Sequence, residues 1–128
     1  MKLLLDTHVL LWWFAGESLS RRAATAIAEE GNEVYVSAAS AFEISTKYAL
    51  GKLDVDADVV TGLERHILNA GFRGLPVSLG HALDAGGLPP HHRDPFDRLL
   101  IAQGRMENLV VVTSDPMFKH YDVRLLTA

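Results

Sequence analysis

Short apolar runs alternate with longer mixed segments along the chain. Lys2 to Leu5 is a compact hydrophobic run stopped by Asp6, and it predicts a buried first strand. Thr7 to Phe14 follows as a helix. Ser18 to Glu30 predicts a second helix, with Ser20 available as its cap and Gly31-Asn32 closing it. Val34 to Ser37 is β-branched and aromatic, which favours a strand. Either Ser37 or Ser40 can cap the helix after it, which runs to about Leu50 and stops at Gly51. Asp56 to Ala70 reads as one helix with Leu63, Ile67 and Leu68 apolar. Leu75 to Ser78 predicts a short strand and Leu79 to Ala85 a short helix. Gly86 to Arg93 is loop. Asp94 then caps a helix that has Pro95 at its first position, a strong start signal. Leu109 to Thr113 and Val123 to Leu126 predict the last two strands.

Strands that alternate with helices, and that lack a polar face, predict a parallel sheet covered on both sides. The expected architecture is an α/β/α sandwich with a mostly parallel sheet of four to five strands. Residues 1–128 are expected to form a single domain, long enough to close one core.

Composition narrows the chemistry. The chain has no cysteine. A disulfide framework, a thiol nucleophile and a cysteine zinc site are therefore excluded, and a reducing, cytoplasmic setting is expected. Asp6 interrupts the N-terminal apolar run, so that run reads as a strand and not as a signal peptide. The formal net charge is −4, which gives no global attraction for nucleic acid. The objection weakens if the acids converge on bound cations, because the ions reverse the local sign.

The predicted elements give the acids a common address. Ligands of open α/β sheets bind beyond the carboxyl ends of the strands. Asp6 ends the first strand, and Asp115 lies just past the Leu109–Thr113 strand. Glu43 is on the helix after the Val34–Ser37 strand, and Asp97 is in the first turn of the helix after Asp94. Each acid also has a structural role available to it. Asp6 can end a strand, and Asp115 can begin an Asp-Pro turn. Glu43 and Lys47 are spaced as an i,i+4 ion pair worth roughly 0.2–0.5 kcal/mol, and Asp97 can serve the helix dipole. The coincidence of all four at one end of the sheet favours a site. Clustered carboxylates raise one another's pKa unless hard cations relieve the repulsion. One or two such ions can orient and acidify a water opposite a phosphodiester.

Four segments resemble the PIN domain family. Leu3-Leu4-Leu5-Asp6-Thr7-His8 is similar to the opening that delivers the family's first catalytic Asp. Val36 to Ile44 is similar to the segment carrying its Glu. His92-Arg93-Asp94-Pro95-Phe96-Asp97-Arg98-Leu99-Leu100-Ile101-Ala102-Gln103 resembles a signature of one VapC-like branch, and Val112-Thr113-Ser114-Asp115 resembles the last acidic motif. The four occur in order over almost the whole chain. The resemblance implies an Mg2+- or Mn2+-dependent endoribonuclease, the toxin of a toxin–antitoxin pair, with a cognate antitoxin and a homodimer. It implies products with 5′-phosphate and 3′-hydroxyl ends. It makes Asp6, Glu43, Asp97 and Asp115 the catalytic acids, the metal being held by Asp6, Asp97 and Asp115. Asp94 belongs to the same signature, yet reads locally as a helix cap. Gly104 stands where relatives more often have Ala; Gly costs a helix interior about 0.5–1 kcal/mol.

Other residues complete the expectations. Thr7 and Ser114 adjoin acids and can hydrogen-bond a metal-bound water or an acid, contact substrate, or serve as caps; Lys47 and Arg98 can meet substrate phosphate or act as charge partners of the acids. His91 and His92 are neighbours in a loop and point apart, without the third and fourth ligands of a zinc site, so contact with RNA or a second subunit is expected of them. Val9 to Phe14 is apolar all round its helix, which predicts cover by a second subunit or partner. Two other activities remain in view. An aspartyl phosphatase wants an acid two positions after its nucleophile, where His8 stands here. An inactive PIN-like binding module has no need of all four acids.

Overall fold

The computed structural model describes residues 1–17 and 19–128. Among the described residues, five strands form one sheet: β1 (Lys2–Leu5), β2 (Glu33–Ser37), β3 (Arg73–Leu75), β4 (Val110–Thr113) and β5 (Leu125–Thr127). Their order is β3-β2-β1-β4-β5, and every pairing is parallel. Parallel neighbours need crossovers, and helices supply them. These are α1 (Thr7–Ala15), α2 (Arg21–Ala28), α3 (Ala38–Ala49), α4 (Ala57–Thr61), α5 (Leu63–Asn69), α6 (Leu79–Gly86) and α7 (Pro95–Met106). A 3-10 helix, Pro116–His120, leads towards β5.

Alternate residues of the central strands feed two cores. Leu3, Leu5, Val110 and Val112 pack with Val9, Leu10, Ala23, Ile27 and Ile44 on one face. Leu4 and Val111 pack with Leu100, Ile101, Phe118 and Tyr121 on the other. Both faces of β1 and β4 are thus buried, and for this reason the strands read as unbroken apolar runs.

The expected α/β/α architecture is correct, and four local details differ. Ser18, the expected opening of the second helix, lies outside the described residues, and the described helix starts at Arg21 with Ser20 as cap, its Oγ accepting from the Ala23 N–H at 3.0 Å. The expected helix over Asp56–Ala70 is two, divided at Gly62, a poor helix former. A Cβ there would approach both the Asp58 carbonyl and the His66 ring to 3.1 Å. β3 ends at Leu75 instead of beginning there, because Pro76 has no N–H to continue the ladder and Ser78 already caps α6. The last strand lies two residues later than its expected start, with Val111 N–H already donating to the Arg124 carbonyl at 2.8 Å.

Candidate active site

The strand order places the ends of β1 and β4 side by side. Leu5 pairs with Val112, and the Asp6 N–H donates to the Val112 carbonyl at 3.0 Å. Thr113, the last residue of β4, donates its hydroxyl to Asp6 Oδ2 at 2.7 Å. Asp6 is buried, and its other oxygen, Oδ1, is enclosed with no hydrogen-bond partner. Burial raises its pKa above 3.8; the Thr113 hydrogen bond, the charge of His8 and the Thr7 backbone N–H oppose that rise, and the charge of Glu43 reinforces it.

Asp97 is in the first turn of α7, where Pro95 and the Asp94 cap start the helix. Asp94 Oδ1 accepts the N–H of Phe96 at 2.8 Å and of Asp97 at 3.2 Å, so Asp94 is the cap. Its charge still reaches the site. The Asp97 carboxyl is pushed up to about 7 by burial first, then by the charges of Asp6 and Asp94; His92 opposes the shift and Glu43 adds to it. Asp115 divides its oxygens between two roles: Oδ1 accepts the Met117 N–H at 2.9 Å and caps the 3-10 helix, while Oδ2 faces the site.

Glu43 is buried on α3 and has both oxygens engaged. Thr7 Oγ1 donates to its Oε1 at 2.8 Å and lies 2.9 Å from Ser40 Oγ, while Lys47 forms an ion pair with its Oε2. The α3 helix is capped by Ser37, not Ser40, which is buried inside it. The hydrogen bond to Glu43 is the main reason the Lys47 pKa rises, and the charges of Asp94 and Asp97 add to it. Lys47 therefore faces the acids while remaining partly exposed.

Two of the residues expected at the substrate have their side chains engaged within the protein. Thr7 is buried and its hydroxyl serves Glu43. Nor does Thr7 cap α1, whose cap position is Asp6. The Arg98 guanidinium donates to the carbonyls of Ala85, Gly86, Leu88, Pro89 and His92. It fastens the Gly86–Arg93 loop against α7. Ser114 is exposed beside Asp115.

His92 belongs to the site, and the acid pattern does not point to it. His91 and His92 do diverge. His91 is exposed and stacks on His120 at 5.3 Å. The His92 ring turns inward, with Nε2 2.8 Å from Asp97 Oδ2 and 3.2 Å from Asp115 Oδ2. Ligand atoms of His92, Asp97 and Asp115 all lie within 4.8 Å of one another. Asp6 stands outside that trio and joins it through charge.

These residues suit a divalent cation. Carboxylates exceed nearby cationic groups, Asp6 Oδ1 is buried without a partner, and Asp97 resists ionisation. Each of these is a deficit that a hard cation relieves.

Comparison with known proteins agrees with the geometry. The PIN domain family model matches residues 3–124. Ribonuclease VapC22 of Mycobacterium tuberculosis is 30% identical over 113 residues, covering 88% of this chain and 85% of that protein. Among solved structures, VapBC2 from Rickettsia felis, bound to a DNA fragment from the promoter, superposes with a TM-score of 0.73 at 17% identity, over 99% of this chain and 98% of the other. FitAcB from Neisseria gonorrhoeae superposes with a TM-score of 0.72 at 23% identity, over 97% and 96% of the two chains. At those identities the structures speak for the fold.

Proposed function

Since this chain belongs to the PIN domain family, in the company of the VapC ribonucleases, we propose that it is a metal-dependent endoribonuclease acting as the toxin of a toxin–antitoxin pair. The observation that carries the reading is the uncompensated carboxylate group at the ends of β1 and β4. Asp97 and Asp115 flank His92 there, Asp6 acts on Asp97 by charge, one oxygen of Asp6 is orphaned, and Asp97 holds its proton up to about neutral pH.

Asp6, Asp97 and Asp115 would hold Mg2+ or Mn2+. Such an ion lowers the pKa of a bound water and neutralises charge on the scissile phosphate. The chain's own residues orient the chemistry. Thr113 fixes one oxygen of Asp6 and leaves Oδ1 free. Thr7 and Lys47 lock Glu43, which then acts on the site by charge and by holding Lys47. Lys47, partly exposed beside the acids, would meet a phosphodiester oxygen, with Ser114 on the exposed rim near Asp115. This local arrangement accommodates an acidic protein with a polyanionic substrate.

The test is cleavage of a structured RNA, with melting temperature measured with and without Mg2+, for the parent and Asp97→Asn. Loss of cleavage by orders of magnitude and loss of Mg2+ stabilisation support the site. Full activity, or equal Mg2+ stabilisation of both proteins, rejects it.

Partners follow from the same reading. The similar R. felis and N. gonorrhoeae structures are of VapBC2 and FitAcB, and a cognate antitoxin and a homodimer are proposed for this chain. Trp12, Trp13 and Phe14 on α1 are half-buried against the core and keep exposed area for such contacts. Light scattering of the chain alone and with its antitoxin, with indole fluorescence as reporter, tests this. No helix among the described residues is long and apolar enough to cross a membrane; a cytoplasmic setting is proposed.

A further inference from the structure

A nitrogen sits among the acids, and the fold holds it firmly. The His92 backbone N–H donates to the Tyr121 hydroxyl at 2.7 Å, and the His92 carbonyl accepts from Arg98 Nη1 at 3.0 Å. The ring meets Phe118 edge-on, with centroids 6.0 Å apart. Its Nδ1 lies 3.5 Å from the Asp94 N–H, too far to fix the tautomer. Nε2 is thereby aimed between two carboxylates, at 2.8 Å and 3.2 Å.

A neutral imidazole carries one N–H at Nε2 at most, so it can satisfy only one of the two carboxylates at a time. The spacing has a second explanation. Around a six-coordinate ion with bonds of about 2.1 Å, adjacent ligand atoms are about 3.0 Å apart. The three atoms Nε2, Asp97 Oδ2 and Asp115 Oδ2 have that spacing at the nitrogen, on a ring already fixed by Tyr121, Arg98 and Phe118.

The geometry points to His92 Nε2 as a direct ligand of the divalent ion, beside Asp97 and Asp115, making a mixed nitrogen–oxygen site that discriminates in favour of first-row transition ions over Mg2+. The inference rests on the metal reading of the proposed function and specifies it. Imidazole binds transition ions well, whereas Mg2+ prefers oxygen and water. His92 is then a specificity-determining residue, and the Arg98-stapled loop is the device that delivers it.

Calorimetric titration of Co2+ and of Mg2+ into the full chain tests the idea, for the parent, His92→Ala and Asp97→Asn. His92→Ala is expected to weaken Co2+ binding at least about tenfold, on the scale of losses at metal sites, while Mg2+ binding changes far less. Asp97→Asn is expected to weaken both ions. If His92→Ala weakens both ions equally, or tightens both, the imidazole is only a hydrogen-bond donor to the acids and the inference is overturned while the metal site stands. If the parent binds neither ion, the metal reading fails and this inference with it. Pulsed electron paramagnetic resonance of the Mn2+-loaded parent needs no variant. A nitrogen coupling from a directly bound imidazole supports the assignment, and its absence overturns it even if His92→Ala fails to fold.

Discussion

Helix α7 carries a histidine–carboxylate cluster at each end, and the two behave differently. At its C-terminal end, His81 is buried and completely used. Its Nδ1 accepts the Ser78 N–H at 3.0 Å, its own N–H donates to Ser78 Oγ at 3.1 Å, and Nε2 lies 2.9 Å from Glu107 Oε1. The single acid there is half exposed, so water shares its charge. At the N-terminal end, His92 faces two carboxylates, with Asp6, Glu43 and Asp94 behind them and Asp97 pushed up to about 7. In the first cluster both ring nitrogens of the histidine are engaged, and its one carboxylate partner is open to water. The second holds more negative charge than its neighbours offset. The same residue types make a helix cap in one place and a candidate cation site in the other; the excess of buried acid separates them.

The sharpest way to break this contrast is Asp97→Asn. It should reduce RNA cleavage by orders of magnitude while leaving metal-free stability unchanged or higher, since it removes a repulsion. Cleavage that survives, or a large loss of metal-free stability, would make the N-terminal cluster structural like the other.

The pH dependence comes next. Asp97 titrates near 7 in the folded protein against 3.8 ordinarily, and Asp6 is raised in the same direction. Between those values the folded protein keeps protons that the unfolded chain has lost. Metal-free stability should therefore fall as pH rises from about 4 to about 7. Denaturant titrations across that range should show the decline, Asp97→Asn should flatten it, and saturating Mg2+ should offset it. A metal-free stability that climbs through that window contradicts the assignment.

Gly104, two residues before the end of α7, sets the seat of that helix on the sheet. A Cβ there would lie 2.7 Å from Val111 Cγ2 and 2.8 Å from Val123 Cγ2, both on stiff β-branched side chains. Gly104→Ala should therefore destabilise by about 1–3 kcal/mol despite its better helix propensity. Chemical denaturation measures this, and a stabilised variant would show that α7 shifts freely on β4.

The smallest effects belong to the closed cluster. His81→Ala strips the Ser78 N–H of its acceptor and should cost about 1–2 kcal/mol, with no change in metal binding. Glu107→Gln should change stability by about 0.5 kcal/mol or less and leave cleavage intact. Metal sensitivity in either variant would merge the two clusters into one network.

The alternation of strands and helices, the parallel sheet and the end of it at which the acids stand can all be read along the chain. Those features are local: an apolar run is a strand wherever it packs, and Asp94-Pro95 starts a helix through its own backbone chemistry. The positions of Asp6, Asp97 and Asp115 at strand and helix ends were legible for that reason. Tertiary structure decided the rest. Arg98 follows Asp97 directly, yet its fork goes to five carbonyls at the end of α6 and in the loop after it, which it reaches only after folding. His92 enters the acid cluster because Tyr121, 29 residues away, holds its backbone. Glu43 meets Thr7 across 36 residues, and that pairing turns both away from simple surface roles. Side-chain direction in a loop has no period to read, so it is fixed only when distant partners close around it.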